Sequence, residues 1–206
     1  MNFNVNCNNS IGLNGSKKIY IDPYEIKSET HDADYIFCTH SHYDHFSPED
    51  IKKILKDNTK IITVQAARAE AEKLVGKENV LIVEPNQNYT IDNMSFSTTY
   101  AFNVDKPFHP KANNWVGYII DLDGTKYYIA GDTDNILEIR NVIADVAFLP
   151  VGGTYTMDYK EAADLANVLN VKTVVPTHYG SVAGKKEDGE NFKRLVKNKE
   201  VVVFDI

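Results

Sequence analysis

An apolar run, Tyr35-Ile36-Phe37-Cys38, leads directly into Thr39-His40-Ser41-His42-Tyr43-Asp44-His45. No other feature of the chain restricts its fold so tightly. The run reads as a buried strand, and three of the chain's six histidines crowd its end. In an extended chain, side chains at i and i+2 point the same way, so His40 and His42 can grip one ion together. Asp44 and His45 come after the chain begins to turn and can face a neighbouring position. A strand end that carries this many imidazoles reads as half of a metal site.

The other half is expected downstream, again at strand ends. His109 in Phe108-His109-Pro110, Asp132 in Gly131-Asp132-Thr133-Asp134 and His178 in Thr177-His178-Tyr179 are the candidates. Only His31 is left over, and it reads as a surface loop residue. Imidazole and carboxylate ligands favour Zn²⁺, with Mn²⁺ or Fe²⁺ also compatible. No thiolate-rich set is present to close a structural zinc. Cys38 reads as a small buried thiol within its strand.

The remaining pattern alternates strands and helices. Residues 2–21 read as opening strands joined by a turn over Gly12–Lys18, and Asp22-Pro23 closes them. Ser47 as N-cap and Pro48 at the first helical position start a helix with Ile51, Ile54 and Leu55 on its buried face. A strand at 60–64, a helix at 66–75 closed by Gly76 and a strand at 80–83 follow. From Tyr89 to Ala130 the pattern is β, with Asp123-Gly124 marking a hairpin. A strand at 146–151 precedes a helix capped by Asp158 and Glu161, with Leu165, Val168 and Leu169 as its stripe. The strand Val174-Val175-Pro176 delivers His178. A polar helix at about 187–197 and a strand at 201–204 end the chain. The two halves repeat one order of elements. This suggests a single α/β domain over 1–206, a four-layer αββα sandwich of two sheets with helices outside.

Composition limits the partners. The formal net charge of −7 argues against nucleic acid or an anionic membrane held by a basic surface. No apolar run is long enough to span a bilayer, and Met1 to Ser10 lacks the apolar core of a secretory segment. Two cysteines make no disulfide framework, so the cytoplasm is the default. A small-molecule substrate is the expected partner, and a homo-oligomer is compatible with all of this.

With these residues in this order, the chain resembles the metallo-β-lactamase superfamily over nearly its whole length. The resemblance rests on His40-x-His42-x-Asp44-His45, then His109, Asp132 and His178. It implies the αββα sandwich with a binuclear metal centre at one edge. His40, His42 and His109 would hold one metal, Asp44, His45 and His178 the second, and Asp132 would bridge them. Asp22 would stand behind the histidine loop and orient it without touching metal. Phe108-His109-Pro110-Lys111, Gly131-Asp132-Thr133-Asp134 and the segment Leu149 to Met157 look most like the compact branch around ascorbate-6-phosphate lactonase. Many relatives carry a His-Ser or His-Ala pair in the first hairpin, where this chain has Cys7-Asn8-Asn9-Ser10.

The expected chemistry is hydrolysis of a small ester, lactone or phosphorylated metabolite by a hydroxide that bridges two metals. Asp44 would orient that hydroxide or pass on its proton. Lys111 is a candidate for a substrate phosphate or carboxylate, and Tyr155 or Tyr179 for an oxyanion hydrogen bond. Two other readings stand beside this one: a phosphodiesterase or nuclease on the same metals, and a non-catalytic metal-binding protein.

Overall fold

Two sheets organise the chain, one in each of two units, Met1–Glu84 and Pro85–Ile206. The computed structural model describes residues 2–206.

The first unit lays six strands side by side in chain order: β1 (Phe3–Val5), β2 (Ile11–Asn14), β3 (Lys18–Ile21), β4 (Ala33–Phe37), β5 (Leu55–Thr63) and β6 (Val80–Ile82). Short turns make β1 to β3 antiparallel, whereas β3 to β6 run parallel. Parallel neighbours need a crossover. Helices α1 (Pro48–Ile54) and α2 (Arg68–Val75) supply two of them. The Ser47 hydroxyl accepts from Asp50 N–H, a cap that stabilises α1 by about 1 kcal/mol. Ile51 and Ile54 of α1 pack with Ile36, Ile61 and Ala71 in one buried cluster.

Two expectations shift here. Leu55 opens β5 instead of extending the buried face of α1. Its N–H still closes the helix on Ile51 O while its ψ of 134° is already extended, so one residue serves both elements. Gly12 lies in β2 and not in the turn, paired with Asn4 on one side and Tyr20 on the other, and the Asn4 side chain crosses its face. A Cβ there would meet Asn4 Oδ1 at 2.6 Å. The turn falls where Gly15 N–H reaches Lys17 O.

The second unit holds seven strands, also in chain order: β7 (Asn88–Ile91), β8 (Met94–Tyr100), β9 (Val116–Leu122), β10 (Thr125–Ile129), β11 (Val146–Pro150), β12 (Thr173–Thr177) and β13 (Glu200–Val201). β7 to β10 form an antiparallel meander, and the rest are parallel. Asp123 and Gly124, at φ 54° and 80°, make the β9–β10 hairpin as expected. Helix α3 (Tyr159–Val168) starts on a complete Asp158–Glu161 capping box. Its Ala162, Leu165 and Ala166 join the core around Tyr128, Leu149 and Phe192 of α4 (Asp188–Leu195). Val168 is 49% exposed, contrary to its expected place in that stripe. The helix ends there, and the extended backbone of Leu169 turns the next side chain inward instead.

The last strand is also shorter than the apolar run 201–204 suggests. Val202 N–H still reaches Val174 O, but Pro176, two residues on along β12, has no N–H to continue the ladder.

In each unit candidate ligands follow the carboxyl ends of strands, but His109 does not, contrary to expectation: it lies within the long loop between β8 and β9, nine residues past Tyr100. His40 follows β4, Asp132 follows β10 and His178 follows β12, and Asp22, the support behind the histidine loop, follows β3. Ligands in open α/β sheets gather at such ends.

Candidate metal centre

In the first unit, Asp22 is the anchor. Its φ of 44° folds the chain back as β3 ends, and its carboxylate is fully buried. Four donors satisfy it: Thr39 N–H on Oδ1, and Asn9 Nδ2, Thr39 Oγ1 and His45 Nδ1 on Oδ2, each at 2.7 Å. A buried carboxylate without such partners would be costly. The bond to Asp22 puts the His45 proton on Nδ1 and turns Nε2 toward Asp44 Oδ2, 3.3 Å away.

The histidine loop follows the same logic. The Thr39 hydroxyl gives its proton to Asp22, so it accepts from His40 Nδ1 at 3.0 Å. His40 Nε2 then faces His42 Nδ1 at 3.1 Å. The chain turns at once, with His45 and Phe46 N–H both on His42 O. Asn8 Nδ2 donates to Asp44 Oδ2 at 2.8 Å, and Asn8 is fully buried at φ 49°.

In the second unit, Asn103 fixes His109. Asn103 Oδ1 accepts from the His109 N–H and from its Nδ1, both at 3.0 Å. The Tyr155 carbonyl lies 3.2 Å from the same Nδ1. Asn103 is held in turn, its Nδ2 donating to Asp134 Oδ1 and to Tyr155 O. Asp134 Oδ2 accepts from Val104 N–H. This leaves His109 Nε2 facing Asp132 Oδ2 at 3.1 Å, and the same oxygen lies 3.2 Å from His178 Nε2.

His178 sits at φ 54°, an uncommon conformation for a residue with a side chain. Gly152, just past β11, lets the chain pass its carbonyl. A Cβ at Gly152 would come within 2.2 Å of His178 O.

These donor atoms fit a metal. Two ligands at about 2.0–2.1 Å from a tetrahedral ion lie roughly 3.3 Å apart. The imidazole–imidazole spacing of 3.1 Å and the imidazole–carboxylate spacings of 3.1, 3.2 and 3.3 Å match that edge. All these residues are buried except His42, which is half-buried. Each of the seven belongs to a set of His and Asp side chains able to hold a metal ion.

The residues singled out as substrate contacts are placed differently. Lys111 Nζ pairs with Glu138 Oε1 at 2.7 Å and lies over the Tyr100 and Phe102 rings. Tyr155 bonds His109 through its carbonyl, and its ring meets Phe108 edge-on at 4.7 Å. Tyr179 is 1% exposed and donates its hydroxyl to Phe204 O, so it closes the C-terminal segment against the core. Burial pushes that phenol up to about 12.

Cys38 is fully buried, and burial followed by the nearby Asp22 charge raises its thiol well above the usual range. His31 is exposed, with Nδ1 against Leu55 O.

Asn8, Asn9, Asn103 and Asp134 are the residues that sequence reasoning missed. Asp134 stood inside Gly131-Asp132-Thr133-Asp134, and Asn8 and Asn9 inside the Cys7-Asn8-Asn9-Ser10 stretch noted only as a departure; Asn103 stood in no motif.

Comparison with known proteins gives one consistent answer. Residues 6–178 match the family model described as "Beta-lactamase superfamily domain". A UPF0173 metal-dependent hydrolase of Thermococcus kodakarensis is 36% identical, over 93% of this chain and 90% of its own length. One from Pyrococcus abyssi is 35% identical, with the same two coverages of 93% and 90%. A Parabacteroides distasonis structure assigned as a metal-dependent hydrolase superposes with TM-score 0.81 at 28% identity, over 99% of this chain and 92% of that one. A metallo hydrolase of Ignicoccus hospitalis shares the fold, with TM-score 0.80 at 23% identity and coverages of 98% and 94%.

Proposed function

Because the chain belongs to the β-lactamase superfamily and to its metal-dependent hydrolases, we propose that it hydrolyses a small ester, lactone or phosphorylated metabolite at a binuclear site, most readily of zinc. His40, His42 and His109 would hold one ion, Asp44, His45 and His178 the other, with Asp132 between them. One observation carries this reading: a single oxygen, Asp132 Oδ2, meets the Nε2 atoms of both His109 and His178. A ligand shared by two metals needs such a position. When bound, the ions would supply an activated water near neutral pH and polarise the scissile bond.

The chain's own residues do the rest. Asp22 and Asn103 hold the Nδ1 protons of His45 and His109, so the Nε2 lone pairs face inward. Asn8 steadies the Asp44 carboxylate, which would orient the water or take its proton. No helix among the described residues is long and apolar enough to cross a membrane. Both cysteines carry thiols, which supports a cytoplasmic enzyme. We read 1–206 as one catalytic domain, with the lactonase-like branch as a functional parallel.

The test is elemental analysis of the purified protein, then a hydrolysis screen over lactones, esters, thioesters, phosphomonoesters and phosphodiesters. Two metals per chain and metal-dependent turnover are expected. Asp132→Ala should abolish both second-metal retention and turnover. Full metal content and activity in that variant would refute the bridging role.

A further inference from the structure

The proposed site has a built-in preference, visible in what surrounds His109. Seven large apolar side chains are exposed among the described residues, and three of them lie in the two ligand loops. Tyr43, 65% exposed, stands between His42 and Asp44. Val104, 64% exposed, follows Asn103, and Phe108, 40% exposed, precedes His109. Scattered single exposures need no explanation, but Val104 and Phe108, both on the one loop that carries His109, do.

The Phe108 ring is braced edge-on by Tyr155, whose carbonyl holds His109, so this apolar surface is fixed to the same support as the ligand.

The charges on the same stretch point the same way. Lys106 Nζ lies 2.6 Å from Oδ1 of the buried Asp134, and Lys111 Nζ lies 2.7 Å from Glu138 Oε1. The bond from Lys111 holds the Glu138 carboxyl below its ordinary value. Both lysines flanking His109 are thus already matched to carboxylates, and a phosphate arriving here would have to displace one of them. The chain's net charge of −7 adds a general repulsion of anions.

Resting on the hydrolase reading above, we propose that the substrate is an uncharged carboxylic ester or lactone with an apolar acyl group, and that Val104 and Phe108 determine that specificity. Water adds to the carbonyl carbon and the acyl–oxygen bond breaks. The alcohol oxygen leaves with a proton, and the carboxylic acid remains.

The experiment compares the zinc-loaded protein on 4-nitrophenyl acetate, butyrate and hexanoate with 4-nitrophenyl phosphate and bis(4-nitrophenyl) phosphate. We expect the esters to be cleaved far faster than either phosphate, with hexanoate about tenfold better than acetate in kcat/KM. The Val104→Ser/Phe108→Ser double variant should lose the hexanoate preference, chiefly through KM, and keep its metal content. Leu137→Ser, at an exposed apolar residue elsewhere, should leave the preference intact. Faster cleavage of a phosphate, or a preference untouched by the double variant, overturns the proposal. Absence of turnover on every compound refutes the hydrolase reading instead. Saturation-transfer NMR with hexanamide then decides the apolar surface separately: transfer lost in the double variant supports it, and equal transfer refutes it.

Discussion

Asn103 Oδ1 accepts two hydrogen bonds from one residue, the backbone N–H and the ring Nδ1 of His109, each at 3.0 Å. The pair fixes both the position of the residue and its tautomer, so the Nε2 lone pair points at Asp132. Asp134 holds Asn103 from behind, which makes a chain of three polar side chains ending in a candidate ligand.

Asn103→Ala should therefore weaken metal binding by about 10–100-fold, the usual cost of removing a group behind a ligand. Competition against a chromophoric chelator measures this. Nitrogen-15 NMR of the metal-free protein should show the His109 tautomers mixing. Unchanged affinity and an unchanged spectrum would mean that the loop alone sets the ring.

Asp22→Asn replaces a buried acceptor of four donors with a group that can accept on only one atom. Asn9, Thr39 and His45 would compete for it. Breaking a buried charged network of this kind costs about 3–5 kcal/mol. Urea unfolding of the metal-free variant should show that loss, so a change below about 1 kcal/mol would contradict the anchoring role.

Gly152→Ala places a Cβ about 2.2 Å from the His178 carbonyl, so one of two backbones must shift. The expected loss is about 1–3 kcal/mol by thermal unfolding, with weaker metal retention because His178 moves. Wild-type stability with wild-type metal content would show that the chain relaxes elsewhere.

Asp50 sets an acid limit on stability. Burial pushes its carboxyl up, but bonds from Lys53, Ser47 and the Glu25 N–H outweigh burial and hold it below the ordinary value of 3.8. Its folded value is depressed, so its contribution is complete above the unfolded value. It is lost as pH falls from there through the folded value. Asp50→Asn should be less stable than wild type at pH about 7, and the gap should close below pH about 4. Urea midpoints at both ends test this, and a gap that persists in acid would assign the effect to shape and not to charge.

Much of the candidate metal cluster was legible because its signals are local. The i, i+2 spacing of His40 and His42 needs only an extended backbone, and the turn that redirects Asp44 and His45 begins one residue later. The helix start at Ser47-Pro48, the capping box at Asp158 and the hairpin at Asp123-Gly124 are read from neighbouring residues for the same reason. For Lys111 and Tyr179 the chain offers only nearness in sequence to a candidate ligand. Their partners, Glu138 and Phe204, lie 27 and 25 residues away.

By itself, then, the sequence determined which residue types could hold a metal and which strand ends would carry most of them, since alternation, caps and turns act over a few residues. The tertiary structure alone decided what stands behind those candidate ligands. Asn8 reaches Asp44 across 36 positions, and Asn103 reaches Asp134 across 31. Asparagine carries no charge and no periodic signature, and its hydrogen bonds have direction only after the strands that present it have paired.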